Sequence, residues 1–89
     1  MNISNTEEKL SKIETENVLY ERFHRNGQLG VRGNLIDGEF DGLFEWFDED
    51  GNLTFTQTYR NGELDGLVEL FDVDGNLTST ETYRNGDLI

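Results

Sequence analysis

The sequence predicts a mainly β fold: a single antiparallel meander sheet of 24-residue hairpin repeats, with a short N-terminal helix. Three observations predict it. Residues 38–61, GEFDGLFEWFDEDGNLTFTQTYRN, and residues 62–85, GELDGLVELFDVDGNLTSTETYRN, are identical at 18 of 24 positions. Each copy holds two short runs, Leu43 to Asp48 and Leu53 to Arg60 in the first, in which Thr, Phe, Tyr and Trp are prominent and helical spacing is missing. Between the runs, Asp48-Glu49-Asp50-Gly51 has Asp first and Gly fourth, the composition of a type I turn followed by a left-handed residue.

Taken in chain order, Ser4 to Glu16 reads as a helix. Ser4 with Glu7 forms a capping box, and Leu10 and Ile13, with Ile3, make a narrow apolar stripe. Residues 1–17 are therefore expected to form a cap over one sheet face or the sheet's first edge. The repeats follow over residues 18–89, as 18–37, 38–61, 62–85 and a partial unit at 86–89. The first copy is worn, sharing with its neighbour Leu19, Glu21, Phe23, Gly27 and Leu29. Units of this size bury their apolar faces by stacking on one another.

The turn predicts the register within each unit. A three-residue loop with a glycine bulge opposes Asp48 to Asn52, and so Phe47 to Leu53, Glu45 to Phe55 and Leu43 to Gln57. One face then carries Leu43, Phe47, Leu53, Phe55 and Tyr59, with Leu67, Phe71, Leu77 and Tyr83 from the next copy and Leu19, Phe23, Leu29, Val31 and Leu35 from the worn one. The other carries Thr54, Thr56, Thr58 and Arg60 beside Phe44 and Trp46, with Val68 and Leu70 or Tyr20 and Arg22 in the other copies. The first set is uniform across copies and is expected to pack; the second varies and is expected to be free surface. Asn61-Gly62 suits a tight turn between units, after which Gly66 must bulge to return Leu67 to the packed face.

Charge is unevenly distributed. Residues 1–36 hold five acids and five bases, residues 37–76 twelve acids against Arg60 alone, and residues 77–89 two acids and Arg84, giving 0, −11 and −1 of the total −12. So dense a block repels phosphate backbones and anionic membranes, and points to a basic target. The absence of cysteine removes disulfides and thiolate chemistry. No apolar run approaches a membrane span, and the polar, acidic N-terminus is unlike a secretory signal, so a cytoplasmic location is expected, in a bacterium or a phage-infected host.

The Asp-rich turns resemble the middle of a calcium loop. With Gly51 at loop position six, however, Trp46 falls at position one and Gln57 at twelve, and the next copy puts Leu70 at one. The turn accounts for these letters better than a metal does, and no cofactor is expected. His24, the single histidine, has no nucleophile and acid suggestively placed, and no Gly-rich strand-to-helix loop is present, so no enzymatic activity is expected. Trp46, with Phe44 two residues away, has the make-up of an aromatic binding anchor in an acidic surround.

The pattern G-x-(L/F)-D-G-x-x-x-x-F-D-x-D-G-N-L followed by Y-R-N-G resembles the MORN-variant repeat of bacterial proteins, over roughly residues 18–89. That resemblance implies an elongated single antiparallel sheet, and it extends to small antitoxin-like immunity proteins. The expected function is inhibitory binding to a basic protein, a nuclease or other nucleic-acid-acting enzyme, with carboxylates in the place of phosphates. The residues expected to carry it are Asp41, Phe44, Glu45, Trp46, Asp48, Glu49, Asp50, Glu63, Asp65, Glu69, Asp72 and Asp74. The alternative is a scaffold that self-associates, as a homodimer, through its sheet.

Overall fold

A computed structural model describes residues 15–89. The helix expected over Ser4 to Glu16 falls on residues 1–14 but for its last two positions, and so lies outside the described residues. Nine strands form one sheet: β1 (Asn17–Phe23), β2 (Leu29–Ile36), β3 (Glu39–Phe40), β4 (Gly42–Phe47), β5 (Leu53–Arg60), β6 (Glu63–Leu64), β7 (Gly66–Phe71), β8 (Leu77–Arg84) and β9 (Asp87–Leu88). The long strands run in the order β1-β2-β4-β5-β7-β8, every pair antiparallel. β3, β6 and β9 each fold back on the end of the long strand before them. The dimensions are 61 × 36 × 15 Å and the radius of gyration is 17.4 Å. A compact chain of this length would have about 12 Å. The described residues form a single-layer meander, as the repeat implied.

Two kinds of turn alternate along it, one on each long margin of the sheet. On the first margin are the loops His24–Gln28, Asp48–Asn52 and Asp72–Asn76. Asp48 N–H donates to Asn52 O at 2.8 Å and Gly51 N–H to Asp48 O at 3.1 Å, and Gly51 has φ of 89°. This is the expected three-residue loop, its left-handed residue a glycine because a Cβ is disfavoured there. On the second margin, Asp37-Gly38, Asn61-Gly62 and Asn85-Gly86 each hold φ near +51° and +87°, the two-residue hairpin turn for which Asn-Gly and Asp-Gly are suited. The margins are stapled across units: Gly62 N–H donates to Phe40 O at 2.9 Å and Gly86 N–H to Leu64 O at 2.8 Å.

The register departs from the expected one in a single residue, and the consequence is large. Phe47 does oppose Leu53, but Thr54 is an extra residue, so Trp46 opposes Phe55, Glu45 opposes Thr56 and Phe44 opposes Gln57. The same shift occurs in the other two hairpins. The Thr54 hydroxyl occupies the irregularity, donating to Trp46 O at 3.0 Å. A shift of one residue turns one strand over relative to its neighbour. Trp46 and Phe55 thereby meet on one face, their rings stacked at 5.4 Å.

Two faces result. The packed face carries Tyr20, Val31, Phe40, Phe44, Trp46, Phe55, Gln57, Tyr59 and Val68. Phe44 has no exposed surface, and Val31 and Val68 are 4% and 6% exposed. The Phe44 ring is stacked on Phe40 at 4.2 Å and edge-on to Tyr59 at 5.3 Å, with Tyr20 at 6.0 Å. It lies over Gly33 of the adjoining strand, where a Cβ would come within 2.3 Å of the ring. The opposite face carries Leu19, Leu43 and Leu67, which are 63%, 55% and 44% exposed. The expectation that these leucines pack, and that the variable positions are free, is therefore reversed. Gly66 does take a positive φ, of 120°, but it returns Val68 rather than Leu67 to the core.

The reversal has a packing cause. Copies 38–61 and 62–85 differ at six positions, and five of these pairs lie on the packed face: Phe40/Leu64, Phe44/Val68, Trp46/Leu70, Phe55/Ser79 and Gln57/Glu81. Bulk is complementary between neighbouring strands. The large Phe44 faces Gly33 and the smaller Val68 lies beside Gln57, while Trp46 faces Val31 and Leu70 faces Phe55. Close packing lets Phe44 lie over a residue that has no side chain, while Trp46 sits against Val31 and stacks on Phe55. Each position of this face is set by its own neighbours, so the copies differ there.

Candidate functional site

The residues expected to bind a partner are distributed over both margins and both faces. Asp48, Glu49, Asp50, Asp72 and Asp74 occupy the loops of the first margin. Asp48 Oδ1 accepts the backbone N–H groups of Asp50 and Asn52, both at 2.9 Å, and its Oδ2 accepts Asn52 Nδ2 at 3.2 Å. Asp72 repeats this with Asp74 and Asn76. These donors, Asn52 N–H and Asn76 N–H foremost, hold both carboxyls below the ordinary carboxylate value. Each carboxylate is engaged in closing its own loop. In the worn copy His24 takes the equivalent place, and Gln28 N–H finds Asn26 Oδ1 instead. Glu49, Asp50 and Asp74 are exposed at the tips, their side chains turned to solvent.

On the second margin, Glu63 is exposed beside the Asn61-Gly62 turn, and Asp41 is half-buried at the start of β4. Asp65 is structural in part, since its Oδ1 accepts Asn85 N–H at 3.1 Å. Glu45 and Glu69 stand on the leucine face. Cross-strand pairs extend there without a break as Glu21, Arg32, Glu45, Thr56, Glu69 and Thr80. Arg32 Nε donates to Glu21 Oε2 at 2.9 Å, and Thr56 Oγ1 to Glu69 Oε1 at 3.1 Å.

The aromatic pair does not form the expected anchor. Phe44 is wholly enclosed in the packed cluster. Trp46 is half-buried on the same face, with its Nε1–H donating to Gln57 Oε1 at 2.8 Å. Tyr59 donates to that same oxygen at 3.2 Å, and burial raises its phenol above the ordinary value, keeping it a neutral donor. The hollow beside Trp46 is lined by Arg22, His24, Gly30 and Val31, so its surround is basic and apolar rather than acidic. His24 Nε2 donates to Phe47 O at 2.8 Å and serves to tie two hairpins together.

Besides Tyr20, Phe44, Trp46 and Val68, expected free and found on the packed face, Leu19, Leu43 and Leu67 were expected inside and stand exposed. Their recurrence every 24 residues was visible. What hid their exposure is the extra residue at Thr54 and its equivalents, which no local composition announces.

A family model described as "MORN repeat variant" matches residues 40–61, so the chain carries a MORN-variant repeat, here seen as β4 and β5 with the turns around them. No curated protein and no solved structure matches the chain.

Proposed function

We propose that the protein is a non-enzymatic, acidic binding protein that inhibits a basic, nucleic-acid-acting enzyme by direct contact. The observation that carries this reading is the display of the net −11 segment 37–76. Its acidic tips, Glu49 with Asp50 and then Asp74, recur on one margin of a single-layer sheet. Successive hairpins are two strands apart, roughly 10 Å, so the charges form a spaced array. Such an array steers a basic partner into encounter and excludes nucleic acid from its cleft. An antitoxin or immunity protein and a phage inhibitor of a host defence nuclease (anti-CRISPR type) are two settings for the same physics.

The test is capture of a host enzyme by the immobilised chain, at low and at high salt, with the enzyme's nuclease activity measured. The reading expects one basic enzyme, retained at low salt, released at high salt and inhibited stoichiometrically. E49K/D50K/D74K should weaken capture at least tenfold with the melting temperature unchanged, because none of these side chains closes its loop. If the chain recovered from its host runs alone at physiological salt and inhibits no such enzyme, the reading fails.

A second reading, self-association as a scaffold, is favoured by one feature. Ser79 and Thr80 of β8 pair with β7 on one side only; on the other side, the equivalent of the one by which Phe55 and Thr56 of β5 pair with β7, no strand opposes them among the described residues. A concentration-dependent doubling of mass by light scattering, abolished by a proline at Thr80, would select this reading over the first.

A further inference from the structure

The leucine face presents a second feature that packing does not demand. At every strand position on it the two full copies are identical, although the packed face differs at five positions. Leu43 and Glu45 recur as Leu67 and Glu69, and even the worn copy retains Leu19 and Glu21. The leucines are 63%, 55% and 44% exposed, so no contact among the described residues accounts for three large apolar side chains there.

The sheet arranges these six residues as two parallel rows. Leu19, Leu43 and Leu67 lie on β1, β4 and β7, each two strands from the next. That separation is roughly 10 Å. Glu21, Glu45 and Glu69 form the second row two residues along each strand, roughly 6.5 Å away. An α-helix advances about 10.5 Å in seven residues, so a helix laid across the strands meets each leucine once per heptad. The glutamates then lie along one flank of it. Their charges are unequally occupied. Glu21 is paired with Arg32, whereas Glu69 accepts only the neutral Thr56 hydroxyl, and Glu45 has no cationic partner within salt-bridge distance among the described residues.

We propose that this face docks a basic amphipathic helix of the partner protein. The helix would set apolar residues at i, i+7 and i+14 on Leu19, Leu43 and Leu67, and Lys or Arg toward Glu45 and Glu69. The proposal rests on the basic-partner reading above and names the surface that partner uses. Charge complementarity selects this occupant. A second copy of the chain would bring another −12 and another glutamate row against the first.

The probe is a synthetic 18-residue helical peptide with Leu at i, i+7 and i+14 and Lys along one flank, titrated into the full chain labelled at its methyl groups and with nitrogen-15, so that methyl, amide and indole signals are all read. A control peptide has the same composition with the leucines out of phase. The expected result is a shift of the Leu19, Leu43 and Leu67 methyl signals with the Trp46 indole unmoved, and at least tenfold weaker binding of the control. L43D/L67D and E45K/E69K should each weaken binding at least tenfold, with thermal unfolding reported beside them to show that the sheet persists. Equal binding of the control peptide, or shifts confined to Trp46 and Phe55, would overturn the proposal, as would loss of the leucine signals into a dimer of the chain. If the shifts fall on Glu49, Asp50 and Asp74 instead, this surface is wrong while the basic-partner reading stands. If neither peptide binds at low salt, the docking proposal falls, and the basic-partner reading is judged by capture of the enzyme.

Discussion

Replacing Gly33 with alanine tests the packed face at its tightest point. The new Cβ would meet Phe44 ring atoms at 2.3, 2.4 and 2.5 Å. Carbon atoms in contact prefer roughly 3.5–4.0 Å, so the ring must retreat by more than about 1 Å. It has little room to do so, with Phe40 stacked 4.2 Å away and Tyr59 edge-on at 5.3 Å. Overpacking of this kind costs about 1–3 kcal/mol. Alanine otherwise improves a strand by roughly 0.5–1 kcal/mol over glycine, which offsets part of the loss. A net destabilisation of about 1 kcal/mol is expected, which in a domain of this size lowers the melting temperature by roughly 4–8 °C. Circular dichroism through the melt measures it. A two-residue cycle adds the cause: with Phe44→Val, the residue the next copy has at Val68, the Gly33→Ala penalty should shrink by at least about 1 kcal/mol. An unchanged or higher melting temperature in Gly33→Ala, or strict additivity in the cycle, would mean that Phe44 does not lie over Gly33.

Three other changes probe the turns and the polar contact on the packed face. Asn61 holds φ of 52° ahead of Gly62, so Asn61→Val should lose about 1–2 kcal/mol in urea unfolding while Asn61→Gly stays near neutral; equal effects would remove the tight turn from the account. Because the Asp48 and Asp72 carboxyls are held below their ordinary 3.8, the stability they contribute is fully present above that pH and is lost as pH falls through their lower folded values. Asp48→Asn with Asp72→Asn should therefore lower the melting temperature at pH 7 and flatten its decline below about pH 3.8; an unaltered acid profile would contradict this. Gln57→Leu strips one acceptor from both Trp46 Nε1 and Tyr59 Oη, and should cost about 1 kcal/mol and shift the Trp46 emission. An unmoved emission spectrum would show that the indole donates elsewhere.

The turns were the most legible part of this chain. Asp48 and Gly51 occupy places whose demands are local, a carboxylate beside its own backbone N–H groups and a residue with positive φ, and residue type alone reveals them. Asn61-Gly62 is the same kind of signal. The pairing of Phe47 with Leu53 was legible too, being adjacent to the loop. Beyond it, legibility stopped at Thr54, because the extra residue is held by a bond across the strands, Thr54 Oγ1 to Trp46 O, repeated as Thr78 Oγ1 to Leu70 O. Threonine is ordinary in a strand, so its presence does not announce that bond. Val31, Phe55 and Tyr59 were placed inside and are inside, but the face of β4 was inverted: Leu43 was placed inside, Phe44 and Trp46 outside, and the aromatic anchor in an acidic surround was built on that inversion.

The candidate site divides along the same line. Acidity of the loops and the period of 24 are properties of residue order, and both hold in the folded molecule. By itself, then, the sequence determined the repeat, the hairpins, the hairpin loop at Asp48 and the sign of the charge in the loops, since each depends on residues close in the chain. Only the tertiary structure decided which face is buried, because that depends on a one-residue shift stabilised across strands. It also decided that Phe44 belongs to Gly33 rather than to a ligand, and that Leu19, Leu43 and Leu67 stand in one exposed row beside their glutamates.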